Sequence, residues 1–126
     1  APSAAAAAAA SRLSLFRALL DIFESAVLPT HGCHFVQFLV FFAACRDPSP
    51  TLQDAFVGRL VELTRSSERA AVTRVMAAAY TGSFLARSAT LAETTFRSAL
   101  CYLMQWCHDY LDDYEAAEAE AAGGAE

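Results

Sequence analysis

The chain has 126 residues, of which 56% are hydrophobic, and a formal net charge of -5. This length allows one domain with a core, or a few repeats of a larger array, and excludes two domains of ordinary size. The most apolar run, residues 35–45, is too short to cross a bilayer, which needs about 20 residues, so we expect no membrane partner. Five glycines and four prolines are few, and the composition is typical of an all-α protein.

Charge and complexity divide the chain into three parts. Residues 1–10 are nearly all alanine, and we expect this segment to be frayed or disordered. Residues 11–114 carry the helical patterns, and residues 115–126 form an acidic Ala/Glu-rich tail that we expect to be solvated. Seven of the 14 acidic residues and none of the nine arginines lie in residues 109–126, so the remainder is mildly basic. With no initiator methionine, the chain resembles a piece of a longer protein.

Two helices are predicted before the first proline-rich turn. The first runs over about residues 11–28 and ends before Pro29. The second, from Thr30 or His31 to about Cys45, is apolar nearly all round and must be covered on most sides. The inner face of the first helix repeats at spacings of three and four: Leu13, Phe16, Leu20, Phe23 and Val27.

Three further helices are predicted after the turn at residues 46–50. Ser49 is expected to cap a third helix that ends near Arg65, with Leu52, Phe56, Leu60 and Leu63 inward. Ser67 is expected to cap a fourth helix that ends near Ser88. Thr90 and Glu93 form a capping-box pattern at the start of a fifth helix. The expected inner face of that helix is Phe96, Leu100, Leu103, Cys107, Tyr110 and Tyr114.

The helices recur with a period of 40 residues. Phe16, Phe56 and Phe96 occupy the same phase of the first, third and fifth helices, and two further sets of apolar residues share the spacing. Antiparallel helix pairs at this period are typical of HEAT-like α-solenoids, in which each pair is covered by its neighbours. A five-helix bundle is the alternative.

A face of small side chains distinguishes the fourth helix. Gly82 costs about 1 kcal/mol relative to alanine in a helix, so we expect close packing of another helix at this position. The face consists of Ala79, Gly82, Ser83 and Ala86.

Few residues in the sequence indicate a metal-binding or catalytic site. The group His31, Cys33 and His34 matches no zinc spacing, and the four cysteines are expected to be buried thiols in helical patterns. No cofactor, metal or catalytic constellation is predicted, and an enzyme is not expected. Arginines on or before the fourth helix form a possible basic edge for a partner or for DNA phosphates. The predicted partner or nucleic-acid contacts are Arg65, Arg69, Arg74, Tyr80 and Arg87.

Three segments resemble one known family. They are LPTHGCHFVQF at residues 28–38, YTGSFLAR at residues 80–87 and WCHDY at residues 106–110. In order and spacing they are similar to the central portion of the RNA polymerase I-specific transcription initiation factor family, the TIF-IA type. The resemblance covers roughly residues 23–114.

The resemblance implies a HEAT-repeat solenoid in the nucleus and nucleolus that binds RNA polymerase I and bridges it to promoter-bound core factor. It implies that the protein recruits the polymerase by contact, without catalysis, for ribosomal RNA gene transcription. Two alternatives remain open at this point: a generic HEAT scaffold or adaptor, and direct DNA contact through the arginine-bearing helix edge.

Overall fold

Five α-helices make up most of the described chain. The computed structural model describes residues 3–30, 32–33 and 35–123, and these residues contain no strand. The all-α prediction is therefore confirmed. The helices are α1 (Ala4–Ile22), α2 (Gln37–Cys45), α3 (Thr51–Arg65), α4 (Ala71–Arg87) and α5 (Glu93–Gly123), and a π-helical turn, Phe23–Val27, continues α1.

The alanine-rich start is helical, so the expectation of a frayed or disordered segment was wrong. Alanine has the highest helix propensity of the amino acids, and the Ser3 hydroxyl accepts the Ala6 N–H at 3.2 Å. Helix α1 therefore begins at Ala4, seven residues before the expected start. Its predicted end is confirmed, since Leu28 caps the π-helical turn directly before Pro29.

Helix α2 is shorter than predicted and is covered on one side only. It begins at Gln37, and Gly32, within the range predicted for this helix, has φ near +98°, outside the helical region. Val40, Phe41 and Ala44 face the core. The expectation that α2 is covered on most sides is wrong for this chain, because five large apolar side chains in and before it are exposed: Phe35, Val36, Phe38, Leu39 and Phe42.

Helix α3 lies at the centre of the core. All four of its predicted inner residues are buried, which confirms the phase of that helix. The predicted cap is displaced by one residue, because Pro50 occupies the N-cap position and the Ser49 hydroxyl bonds to the Thr51 hydroxyl instead.

The Phe56 ring on α3 is the meeting point of the aromatic core. Its centroid lies 6.4 Å from that of Phe16, 5.8 Å from Phe23, 5.7 Å from Phe41 and 5.1 Å from Phe84, each ring edge-on. Edge-to-face pairs at these distances add to the free energy gained by burial. One side chain therefore joins α1, the π-helical turn, α2 and α4 to α3.

An ion pair reinforces the same junction. The Arg59 guanidinium on α3 donates from Nε and Nη2 to the two carboxylate oxygens of Glu24, at 2.6 and 2.8 Å, and from Nη1 to Glu62 at 2.9 Å. These hydrogen bonds raise the pKa of Arg59 further above its ordinary value. The two-point contact fixes the orientation of the π-helical turn on α3.

Helix α4 presents the opposite face from the one predicted. Its buried side is Ala77, Tyr80, Thr81 and Phe84, whereas Ala79, Gly82 and Ala86 are exposed and Ser83 is half-buried. A Cβ atom at Gly82 would have nothing within 4 Å. The expected close helix contact was wrong, because the large side chains of α4 turn towards Phe23, Phe41 and Phe56. The predicted Ser67 cap was also wrong, since the helix begins at Ala71 without a side-chain cap.

A buried amide from α3 organises the start of α5. The Gln53 carboxamide donates to the Thr90 carbonyl and accepts the Ala92 N–H, both at 3.2 Å. Glu93 does not close the predicted capping box and pairs with Arg97 instead. Polar contacts from α3 therefore hold the turn that precedes α5.

The phase predicted for α5 was largely wrong. Thr95 and Ala99 are buried, and Leu103 packs partly against the core. The other residues that were predicted to face inward are exposed. The Thr95 hydroxyl donates a hydrogen bond to the Asp54 carboxylate. The face of α5 that meets the core is therefore displaced by about one residue from the predicted apolar face. The helix continues to Gly123, and its residues 115–123 are exposed. The exposed members of the stripe are Phe96, Leu100, Cys107, Tyr110 and Tyr114.

We predict that Phe56→Ala lowers the free energy of unfolding by about 3–5 kcal/mol, because it empties the junction of four elements. Chemical denaturation followed by circular dichroism measures the change. Phe42→Ala is the matched control, since this phenylalanine is 61% exposed and its loss should change stability by less than about 0.5 kcal/mol. Equal effects of the two substitutions would contradict the central place of Phe56.

Gly82→Ala should raise the free energy of unfolding by about 1 kcal/mol, since alanine is the better helix former and the site is open. Thermal melts of the two proteins under identical conditions test this value. A lower melting temperature for the variant would instead indicate the close packing that the sequence suggested.

Candidate partner interface

The predicted arginine edge is divided between the two ends of α4. Arg65 ends α3, Arg69 lies in the α3–α4 turn and Arg74 lies in the first turns of α4. Arg87 ends α4 and lies thirteen residues beyond Arg74, which corresponds to about 20 Å along a helix axis. The fold thus places three of the arginines around one turn and separates Arg87 from them.

Two of these arginines already have partners within the chain. Arg74 is half-buried, and its Nε donates to the Thr64 carbonyl at 3.2 Å, which satisfies a free carbonyl at the end of α3. Arg87 donates from Nη1 to the Ser83 hydroxyl. Arg65 and Arg69 are exposed and have no side-chain partner among the described residues.

Tyr80 is a core residue and does not lie on the surface. Its side chain is 4% exposed, and its ring lies 5.2 Å from that of Phe23. The hydroxyl is buried and has no hydrogen-bond partner among the described residues. Burial, and next the nearby Cys33 thiol, raise the pKa of Tyr80 above its ordinary value. The predicted partner contact at Tyr80 conflicts with this position, because a partner could reach the ring only by opening the core.

The cysteines differ from their expected burial. Cys33 and Cys45 are half-buried, and the Cys45 thiol lies 3.8 Å from the Ser88 hydroxyl. Cys101 and Cys107 are exposed, because the stripe of α5 that carries them faces away from the core, so their predicted burial was wrong. The two histidines of the sequence group at residues 31–34 lie outside the described residues. Within the described ranges, no three potential ligands converge on a metal site.

A groove between α3 and α5 is a concave surface that the sequence did not indicate. It has a volume of about 750 Å³, and most of the side chains at its base are buried in the contact between the two helices. Val57, Gly58 and Val61 of α3 face Thr95 and Ala99 of α5 across it. The feature of the sequence that could have indicated this groove is Gly58, a glycine inside a helical pattern.

The charged rim of this groove differs from end to end. Asp54 lies at the end where both helices begin, and Arg65 lies at the other end with Tyr102. Glu62 also lines the groove, but its carboxylate is paired with Arg59. Arg65 is thus a predicted contact residue that lines this groove.

None of the helices in the described ranges has the length and apolar character needed to cross a membrane.

Comparison with known proteins identifies the family. The family model described as "RNA polymerase I specific transcription initiation factor RRN3" matches residues 1–124. A curated relative from Schizosaccharomyces pombe, "RNA polymerase I-specific transcription initiation factor rrn3", is 33% identical over 104 residues, which is 82% of this chain and 17% of the relative. The Mus musculus relative of the same printed name is 34% identical over 102 residues, covering 81% of this chain and 15% of the relative.

A third relative, from Saccharomyces cerevisiae and again named RNA polymerase I-specific transcription initiation factor RRN3, is 27% identical over 114 residues, 90% of this chain and 18% of the relative. The chain spans less than a fifth of the length of these relatives. No solved structure gives a significant match.

The chain is therefore an all-α member of a transcription-factor family. It belongs to the RNA polymerase I-specific transcription initiation factor RRN3 family, which confirms the resemblance carried by the three sequence segments. The family match extends beyond the range expected from those segments and includes the alanine-rich helix and most of the acidic tail.

We predict that Tyr80→Phe raises the free energy of unfolding by about 1 kcal/mol near neutral pH, because it removes a buried hydroxyl that has no partner among the described residues. Because the folded-state pKa is raised, the unfolded chain releases this proton at lower pH than the folded chain does. The wild-type protein therefore loses stability as the pH rises above about 10, and the variant loses less.

Denaturation at several pH values between neutral and strongly alkaline measures both effects. Phe84→Tyr is a useful opposite change, since it adds a hydroxyl to a fully buried ring of the same helix and should be destabilising. A large loss of stability in Tyr80→Phe at neutral pH would show that the hydroxyl makes a stabilising bond.

Proposed function

We propose that this chain is part of a transcription initiation factor that binds RNA polymerase I and bridges it to promoter-bound core factor for ribosomal RNA gene transcription. The observation that carries the proposal is the family match over residues 1–124. The printed names of all three relatives agree with it. The proposed mode of action is recruitment by contact without catalysis, and the proposed location is the nucleus, within it the nucleolus.

We further propose that the helices form a slice of a HEAT-like α-solenoid. Support comes from α1, α3 and α5, which carry Phe16, Phe56 and Phe96 at a 40-residue period. Phe16 and Phe56 are buried, whereas Phe96 is 39% exposed. Large apolar side chains are exposed on α2, in the first helix pair, and on α5, the last helix, and neighbouring pairs of a solenoid would cover such faces.

The surface proposed to contact a partner is the region around Arg65 and Arg69. Both side chains are exposed and carry charge that no described acidic residue pairs with, as expected for groups that guide protein association. Direct contact with DNA is less well supported, since Arg74 is engaged within the chain and Arg87 lies about 20 Å from it. A nucleic-acid site normally needs a clustered basic stripe.

The test is binding of this chain, immobilised on a sensor, to purified RNA polymerase I and RNA polymerase II. We expect binding to polymerase I only, and recovery of core factor when it is added with the polymerase. Arg65→Glu should weaken polymerase binding, whereas Arg12→Glu, an exposed arginine on α1, should not. Equal binding to the two polymerases would favour a generic scaffold, and a DNA mobility shift without polymerase would favour direct DNA contact; either result contradicts the proposal.

A further inference from the structure

We propose that Ser67, in the turn between α3 and α4, is a phosphorylation site that controls the proposed contact surface at Arg65 and Arg69. A serine kinase transfers the γ-phosphoryl group of ATP to the Ser67 hydroxyl. The serine oxygen forms the new O–P bond, the bond between the β- and γ-phosphates breaks, ADP leaves, and the hydroxyl proton passes to the base of the kinase. The effect on polymerase binding rests on the proposed function, whereas the modification itself does not.

The Ser67 side chain has no bonding role in the folded chain. The sequence predicted that it caps α4, but the N-cap residue of that helix is Ala70, and no side chain caps it. Ser67 is exposed, and its hydroxyl makes no hydrogen bond with any described residue. Modification of this hydroxyl therefore breaks no contact within the described chain.

Ser67 differs in this respect from the other nine serines of the chain. Five of them lie inside helices or in the π-helical turn, namely Ser11, Ser14, Ser25, Ser83 and Ser98. Three lie outside helices and are hydrogen-bonded through their hydroxyl groups, namely Ser3, Ser49 and Ser88. The ninth, Ser66, is half-buried at the end of α3. Ser67 is therefore the serine that is exposed, outside a helix and without a side-chain hydrogen bond.

The backbone around Ser67 is accessible to an enzyme. Residues 66–70 lie outside the helices, and residues 67–70 are exposed. Ser67 and Glu68 form the corner of a turn, which the Arg69 N–H closes by donating to the Ser66 carbonyl at 3.3 Å. A kinase must align the serine hydroxyl with the γ-phosphate of ATP. A serine inside a helix reaches that position only by local unwinding, whereas Ser67 requires the opening of one turn.

Two arginines flank Ser67, one two residues before it and one two residues after it. Arg65 and Arg69 are exposed, and neither forms an ion pair with a described acidic residue. Glu62 and Glu68 lie close to them in sequence, so the unmodified turn carries little net charge. A phosphate adds a charge of about −1.5 to −2 at pH 7 and three strong acceptor oxygens. The modified turn is therefore clearly negative.

The phosphate also engages the arginine side chains. Hydrogen bonds between a guanidinium group and a phosphate are charge-assisted and roughly twice as strong as neutral ones. Arg65 and Arg69 are the basic residues nearest to Ser67 in the turn. Phosphorylation thus withdraws the two groups that are proposed to meet the partner, and it adds charge of the opposite sign.

The first test is phosphorylation of the whole chain with labelled ATP by a purified serine kinase that selects arginine on both sides of its target. Mapping of chymotryptic peptides should place the label on Ser67, and Ser67→Ala should reduce labelling by at least about tenfold. Ser14 is the matched control, because it also follows an arginine by two residues and is exposed but lies inside α1. Absence of label from Ser67, or equal labelling of Ser14, would overturn the inference.

The second test measures the pairing of the phosphate with the arginines. Because the guanidinium charges favour the dianion, phosphorus NMR should show the second pKa of the phosphate below its ordinary value of about 6. Arg65→Gln with Arg69→Gln should raise that pKa, whereas Arg12→Gln with Arg17→Gln, two arginines of α1, should not change it. An equal pKa in all three proteins would contradict the proposed pairing.

The third test compares binding of the unmodified and the phosphorylated chain to RNA polymerase I. The chain phosphorylated at Ser67 should bind at least about tenfold more weakly, and treatment with a phosphatase should restore its binding. Equal binding of the two forms would overturn the inference and leave the proposed function standing. Failure of the unmodified chain to bind would instead overturn the proposed function, while labelling and NMR still decide the modification.

Discussion

The fold depends on one constraint, the burial of the Phe56 ring where four other elements meet α3. Its edge-on contacts with Phe16, Phe23, Phe41 and Phe84 require α1, the π-helical turn, α2 and α4 to approach from different sides. Val57 and Val61, on the side of α3 that meets α5, are buried as well. Only a narrow part of the α3 surface, which includes Gly58 and Arg65, therefore stays exposed.

Periodicity predicted the elements whose burial is decided by large apolar side chains. Leu60 and Leu63 of α3 are inward as their spacing indicates, because a single apolar stripe meets a single core. The same reasoning failed on α5, where the Thr95 hydroxyl bonds to Asp54 and small Ala99 packs against α3, so the apolar stripe turns outwards. That contact joins residues 41 positions apart, and no local pattern encodes it.

Local sequence patterns were also insufficient to predict the candidate partner surface. The sequence correctly placed arginines around the α3–α4 turn, but it could not separate Arg65, which is available, from Arg74, which bonds to the Thr64 carbonyl. Tyr80 was identified by an aromatic spacing that serves the core equally well. Gly82 attracted attention as a helical glycine and is exposed, whereas Gly58, with the same local signal, lines the groove. Only the tertiary arrangement of α3 and α5 distinguishes the two glycines.

The central claim is that a core built around α3 holds in place the exposed turn with Arg65 and Arg69, where we propose the partner contacts. Hydrogen–deuterium exchange of the chain, free and bound to RNA polymerase I, tests it most directly. The account predicts that inner amides of α3 and α4 exchange slowest in both states, and that binding adds protection in the α3–α4 turn, around residues 65–69. Rapid exchange of α3 in the free chain, or added protection confined to α1 and α2, would contradict it.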